Sequence, residues 1–208
     1  MKFNVESPFF QFMNTLASFI GLNVLFLLLC LPIVTIGPAL KALYTVTMQE
    51  ARKEHKEIFS NFFKAFKDHF LKSSVSFLLY LILALVFIFN AVFWKEQDSI
   101  FGTILFVFFI MASILLVLSF LYAFPLMARF ENSLKQTMKN SIFIALLHTK
   151  ETLGILAIQI AALTFCVFVP QMKVFMILLG FAFLALCNSY LFIRVFNCYE
   201  EEPDRTLA

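Results

Sequence analysis

Five stretches of this chain run for about the width of a bilayer without one Asp, Glu, Lys, Arg or His: Leu16 to Ile36, Ser74 to Trp94, Ile100 to Phe124, Thr152 to Val169 and Val174 to Ile193. A helix crossing the ~30 Å hydrocarbon core needs about 20 mostly apolar residues, and inside lipid only helices and closed barrels satisfy their own backbone. The spacing predicts an all-α, polytopic transmembrane bundle of about five spans in a single integral domain over residues 1–208. Composition points the same way: 62% of residues are hydrophobic and 14% charged, where soluble domains carry about 25% charged residues. Little chain is left over for a separate catalytic domain. The N-terminus has no small-residue cleavage site, and Leu29 rather than a small residue precedes Cys30, so the first span is expected to stay as an anchor.

Lys and Arg collect on one side of this topology. Thirteen lie in alternate segments and at the C-terminal end, whereas only Lys2, Lys95 and Lys173 fall on the other side. The positive-inside rule then puts the N-terminus outside and the C-terminus, with the segments at about 39–72 and 127–150, in the cytoplasm. In the first segment Phe59, Phe62, Phe63, Phe66 and Phe70 recur at steps of three and four while Lys56, Lys64 and Lys67 take other faces, which predicts an amphipathic helix. Its aromatic face suits either the anionic inner leaflet or the protein's own bundle. The second segment follows Pro125 and places another basic helix between two spans, an order that reads as a two-fold parallel internal repeat with the fifth helix added.

Motifs for catalysis are missing from the chain: there is no H-E-x-x-H, G-x-S-x-G, P-loop or dinucleotide fingerprint. His55, His69 and His148 each read as lone, solvated residues. The four cysteines have no C-x-x-C spacing, so no cofactor, metal site or disulfide framework is expected, and no nucleic acid partner. No ionisable residue lies within a span, which argues against proton- or ion-coupled transport. Asn23, Asn90, Ser113, Gln159, Asn188 and Ser189 are the polar groups at membrane depth. They are expected to hydrogen-bond between helices, or, for Asn23, Gln159 and Asn188, to line a polar site. Ala157 and Ala161 read as a close-packing face. Pro32, Gly37 and Pro38 mark a hinge at the inner end of the first span, with a new helix starting at Pro38 and Gly37 free to take positive φ. Arg129 and Arg194 are expected to snorkel to headgroups, and Glu200, Glu201, Glu202 and Asp204 to form a solvated tail.

Across Pro32-Ile33-Val34-Thr35-Ile36-Gly37-Pro38-Ala39 and on through Ala42-Leu43-Tyr44, the chain resembles the YesL-like family of uncharacterised bacterial membrane proteins. Phe62-Phe63-Lys64-Ala65-Phe66-Lys67, Pro125 to Phe130 and Ser133 to Thr137 extend the resemblance in order along most of the chain. The resemblance implies a bacterial plasma-membrane protein, in a family often encoded beside sugar ABC-transporter components. It brings no catalytic residues.

These readings lead to a non-enzymatic membrane protein that assists carbohydrate uptake, with transporter membrane or ATPase subunits as partners. Phe59, Phe62, Phe63, Phe66, Lys64, Lys67 and Arg129 would form the surface that docks lipid or partner. Two rival readings are a small transporter or channel with its site at Asn23, Gln159 and Asn188, and a lipid-interacting protein using the Phe/Lys helix.

Overall fold

A computed structural model describes residues 8–54 and 57–200. His55, Lys56 and the acidic residues Glu201, Glu202 and Asp204 lie outside the described residues, as do Lys2 and Arg205. In chain order the helices are α1 (Pro8–Leu29), a 3-10 turn (Ile33–Thr35), α2 (Ile36–Ala51), α3 (Ile58–Lys67), α4 (Phe70–Lys95), α5 (Ile100–Arg129), α6 (Leu134–Leu147), α7 (Thr149–Phe168), α8 (Gln171–Phe175), a π turn (Met176–Gly180) and α9 (Phe181–Glu200). The described residues contain no strand.

Among the described residues four helical units are long and apolar enough to cross a membrane: α4, α5, α7, and the rod from Gln171 to Glu200 made by α8, the π turn and α9. The chain is a multi-pass, all-α membrane protein. The expected first span over 16–36 is corrected by the structure, because α1 stops at Leu29. Pro32 is extended there, at φ −79° and ψ 131°. Thr35 then turns back and donates its hydroxyl to the carbonyls of Leu29 and Pro32, at 2.5 and 2.7 Å, satisfying acceptors that the broken helix frees.

Two antiparallel hairpins make up most of the bundle. The first joins α4 and α5 through a short turn, where Ser99 caps α5 by accepting the Gly102 N–H at 3.0 Å. The second joins α7 to the Gln171–Glu200 rod through Val169 and Pro170. Between the hairpins lies α2, which touches α1, α3, α4, α5 and α9. At 16 residues it is about 24 Å long, too short to cross the bilayer. Residues 39–51, expected to belong to an amphipathic segment at the inner face, instead form this central strut. Ala39, Ala42, Leu43, Val46 and Met48 are buried. The strut is tied to α9 on one side: the Thr47 and Ser189 hydroxyls bond at 2.8 Å, and the Tyr44 ring meets the Phe192 ring edge-on at 5.6 Å.

Helix α6 packs back on α5 with an unusual division of faces. Thr137 and Ser141 turn inward, while Phe143, Leu146 and Leu147 point out. The inward side closes a run of hydroxyls, Tyr80 to Ser119 at 2.6 Å and Ser119 to Ser141 at 2.7 Å. Pro32 and Pro125 occupy matching places in the proposed repeat but act differently. Pro32 follows the end of α1, whereas Pro125 sits inside α5, which continues to Arg129.

Candidate functional site

Two regions gather the polar groups of the bundle. The first is a cleft of about 380 Å³ at its basic end, framed by α2, α3, the start of α4 and the end of α5. Lys41, buried to 4% exposure on α2, reaches into the α3–α4 junction. Its ammonium donates to the Asp68 carboxylate at 2.6 Å and to the Asp68 main-chain carbonyl at 2.9 Å. The second bond places a cation on the C-terminal end of α3, where the helix dipole favours one. The Lys41 hydrogen bond holds the Asp68 carboxyl below the usual carboxylate range, against a smaller opposing effect of burial. His69 turns the chain from α3 into α4 in the left-handed region, at φ 51°, with Nε2 3.5 Å from the second Asp68 oxygen.

On the far wall of the cleft, Arg129 makes a two-pronged pair with Glu200, Nε to Oε1 and Nη2 to Oε2. The expectation that Arg129 snorkels to lipid or docks a partner is thus corrected: its guanidinium is committed across 71 residues of sequence to the end of α9. Glu200 is equally removed from the expected solvated tail. Lys64 and Lys72 also line the cleft and make no ion pair among the described residues. The cleft therefore combines two fixed ion pairs with two available ammonium groups.

The aromatic face of α3 is divided between the protein and its surroundings. Phe62 is fully buried and Phe66 half-buried in the core around α1 and α2. The Phe59 ring lies over Gly21 of α1, so near that a Cβ there would sit 2.7 Å from it. Phe63, Lys64 and Lys67 remain on the open side. Of the expected docking surface, Phe62 and Phe66 are corrected to core.

The second region is a cavity of about 320 Å³ at membrane depth between α2, α5, α7 and the Gln171–Glu200 rod. Gln159 and Asn188 both line it, as their grouping in the sequence anticipates, with Tyr44 added from α2. Asn188 is 1% exposed, and neither its amide nitrogen nor its oxygen completes a hydrogen bond. The Tyr44 phenol stands beside it. Leaving such a group unsatisfied costs about 1–3 kcal/mol.

Asn23 does not join them. Its Nδ2 donates to the carbonyls of Met176 and Ile177, at 3.2 and 2.7 Å, and its Oδ1 accepts the Ala182 N–H at 2.9 Å. Asn23 thereby clamps the π turn, whose backbone groups lack their ordinary α-helical partners. Met176, clamped by this contact, contributes to the cavity wall.

The remaining expectations divide. Ser189 bonds between helices as expected, but Asn90 and Ser113 bond only to carbonyls of their own helices. Ala157 and Ala161 face outward, because α7 packs through Thr152 and Ile155 instead. His148 is not alone: its Nε2 lies 3.2 Å from the Tyr199 hydroxyl. Gly37 is helical, with no glycine at positive φ, and its value is proximity: a Cβ would meet the Ser73 backbone, 2.8 Å from the carbonyl carbon. Helix α2 starts at Ile36, and Pro38 sits in its first turn, where the missing N–H is tolerated. The expected hinge is therefore a packed corner. Among the described residues no three His, Cys, Asp or Glu side chains gather in metal-binding geometry.

Neither ion pair of the cleft was legible beforehand: Lys41 and Asp68 stand 27 residues apart within one expected cytoplasmic segment, with no spacing that pairs them, and Arg129 and Glu200 belong to separate parts of the chain, 71 residues apart. Residues 19–91 match a family described as a protein of unknown function, DUF624, in agreement with the resemblance to an uncharacterised membrane family. No curated protein and no solved structure matches the chain.

Proposed function

We propose, from the family match over residues 19–91 and the bundle it belongs to, that this is a non-enzymatic protein of the bacterial plasma membrane that serves as a partner of a carbohydrate-uptake system. The observation that carries the reading is the cleft at the basic end. Its ion pairs, Lys41–Asp68 and Arg129–Glu200, brace the walls, and Lys64 and Lys72 are left to meet an acidic segment of a partner. The excess of Lys and Arg at this end supports a cytoplasmic orientation, in which an ATPase subunit or the inner loops of a permease would be within reach. The carbohydrate part of the reading is supported by the family resemblance. Crosslinking in native membranes, followed by affinity capture through a C-terminal tag, tests it: sugar-transporter permease or ATPase subunits are expected in the eluate, and their absence under growth on several polysaccharides overturns the reading.

A second reading, a small transporter of its own, is favoured by one observation, the shared cavity of Gln159 and Asn188. It requires solute flux through purified protein in vesicles, and flux equal to that of empty vesicles overturns it.

A further inference from the structure

The cavity at membrane depth has a composition that selects its occupant. Its walls are largely Phe, Leu, Met and Ala, and no Asp, Glu, Lys, Arg or His lines it. A charged ligand would lose its hydration there without a counter-ion, which excludes ions and zwitterions on energetic grounds. Its polar groups are two primary amides, Gln159 and Asn188, and one phenol, Tyr44. Together they offer donors and acceptors, the complement of hydroxyl and ester carbonyl groups. Asn188 is the telling member, since its amide is buried, neither atom completes a hydrogen bond, and the polar group that interacts with it is the Tyr44 phenol of the same cavity. The other buried side chains with free polar capacity in this part of the bundle, Asn23 and Ser189, have found partners. At about 320 Å³ the cavity lies at the lower end of the range for small-molecule sites, roughly 300–1,000 Å³.

We propose that this cavity binds an uncharged, hydroxyl-bearing molecule, held at its hydroxyl end by Tyr44, Gln159 and Asn188 and along its body by the apolar walls. A neutral glycerolipid such as diacylglycerol has this chemistry and is already at the right depth. A free polyol from the aqueous phase presents the same hydroxyls. The site stands whichever reading of the protein's function holds, because occupancy requires neither a partner nor flux.

Cys166 also lines the cavity and Cys198 lies exposed far along α9, so the wild-type chain carries its own reporter and control. The purified protein in phosphatidylcholine vesicles is treated with N-ethylmaleimide, and alkylation at each cysteine is followed by peptide mass spectrometry. Diacylglycerol in the vesicles at about four times its dissociation constant slows Cys166 alkylation about fivefold by occupancy, with Cys198 unchanged. Protection by added glycerol and not by diacylglycerol supports the same site with an aqueous source. Protection by neither, or equal slowing at Cys198, overturns the proposal. In Asn188→Leu, which fills the same volume without the amide, the protection is lost. Retention of full protection in that variant also overturns it.

Discussion

Gly37 of α2 lies against the Ser73 carbonyl of α4 with no room for a side chain between them. The contact sets the distance between the central strut and the first hairpin. Ser73 is backbone and helical, so it has little freedom to retreat. Gly37→Ala is expected to destabilise the bundle by about 1–3 kcal/mol, as overpacking does. Thermal denaturation in detergent checks this. Gly154→Ala is the control, because its added Cβ would meet only the flexible tip of Leu191 at 3.3 Å and should leave the transition nearly unmoved.

The Lys41–Asp68 pair predicts an acid-sensitive fold. Asp68 titrates below its ordinary value in the folded chain, so the folded state binds fewer protons than the unfolded one. Its contribution is then fully present above the unfolded carboxylate pKa of about 3.9 and is lost as pH falls through the lower, folded value. The Asp68 side chain is 53% exposed, so solvent screening keeps the effect modest. Melting temperature measured from pH 7 downward should drop more steeply in the wild type than in Asp68→Asn, which begins lower at neutral pH.

Asn23 carries three hydrogen bonds to the π turn and its neighbour. Asn23→Leu should cost about 1–3 kcal/mol by leaving those backbone groups unsatisfied in an apolar setting. Asn90→Leu, which removes a bond only to Val86 of the same helix, should change stability by no more than about 0.5 kcal/mol. Equal effects of the two substitutions in a melt would contradict the clamp.

Arg129 and Glu200 should be energetically coupled. Each single change to Ala loses the same pair, so the double variant is expected to be less destabilised than the sum of the two. A double-mutant cycle on unfolding free energies reads that difference directly, with a coupling of at least about 0.5 kcal/mol expected for groups in contact.

Lys64 and Lys72 should matter for capture and not for folding. Charge reversal at both, Lys64→Glu with Lys72→Glu, is expected to abolish crosslinked recovery of a partner while the melting temperature stays close to that of the wild type. Unchanged recovery would remove the cleft from the docking surface.

What could be read in the sequence followed from solvent. Uncharged runs marked α4, α5, α7 and the Gln171–Glu200 rod because lipid tolerates few alternatives. The same logic failed for α2, whose Lys41, Thr45, Thr47, Gln49 and Glu50 read as the start of an amphipathic segment at the inner face. It is buried because Lys41 and Thr47 find partners on distant elements, at Asp68 and Ser189, and such pairings leave no local trace. For the candidate site, Gln159 and Asn188 were legible as polar residues at membrane depth. That Asn23 serves a π turn and Tyr44 takes its place was not, since a π turn has no spacing signature here.

Helix α6 raises a matter of timing. Its hydroxyl side is sheltered against α5, through Ser119 and Ser141, while its outer side offers Phe143, Leu146 and Leu147 to the surroundings. The α4–α5 hairpin is therefore the template on which α6 is laid down, because Ser141 is buried against a surface, carrying Ser119 and Tyr80, that the hairpin must already present.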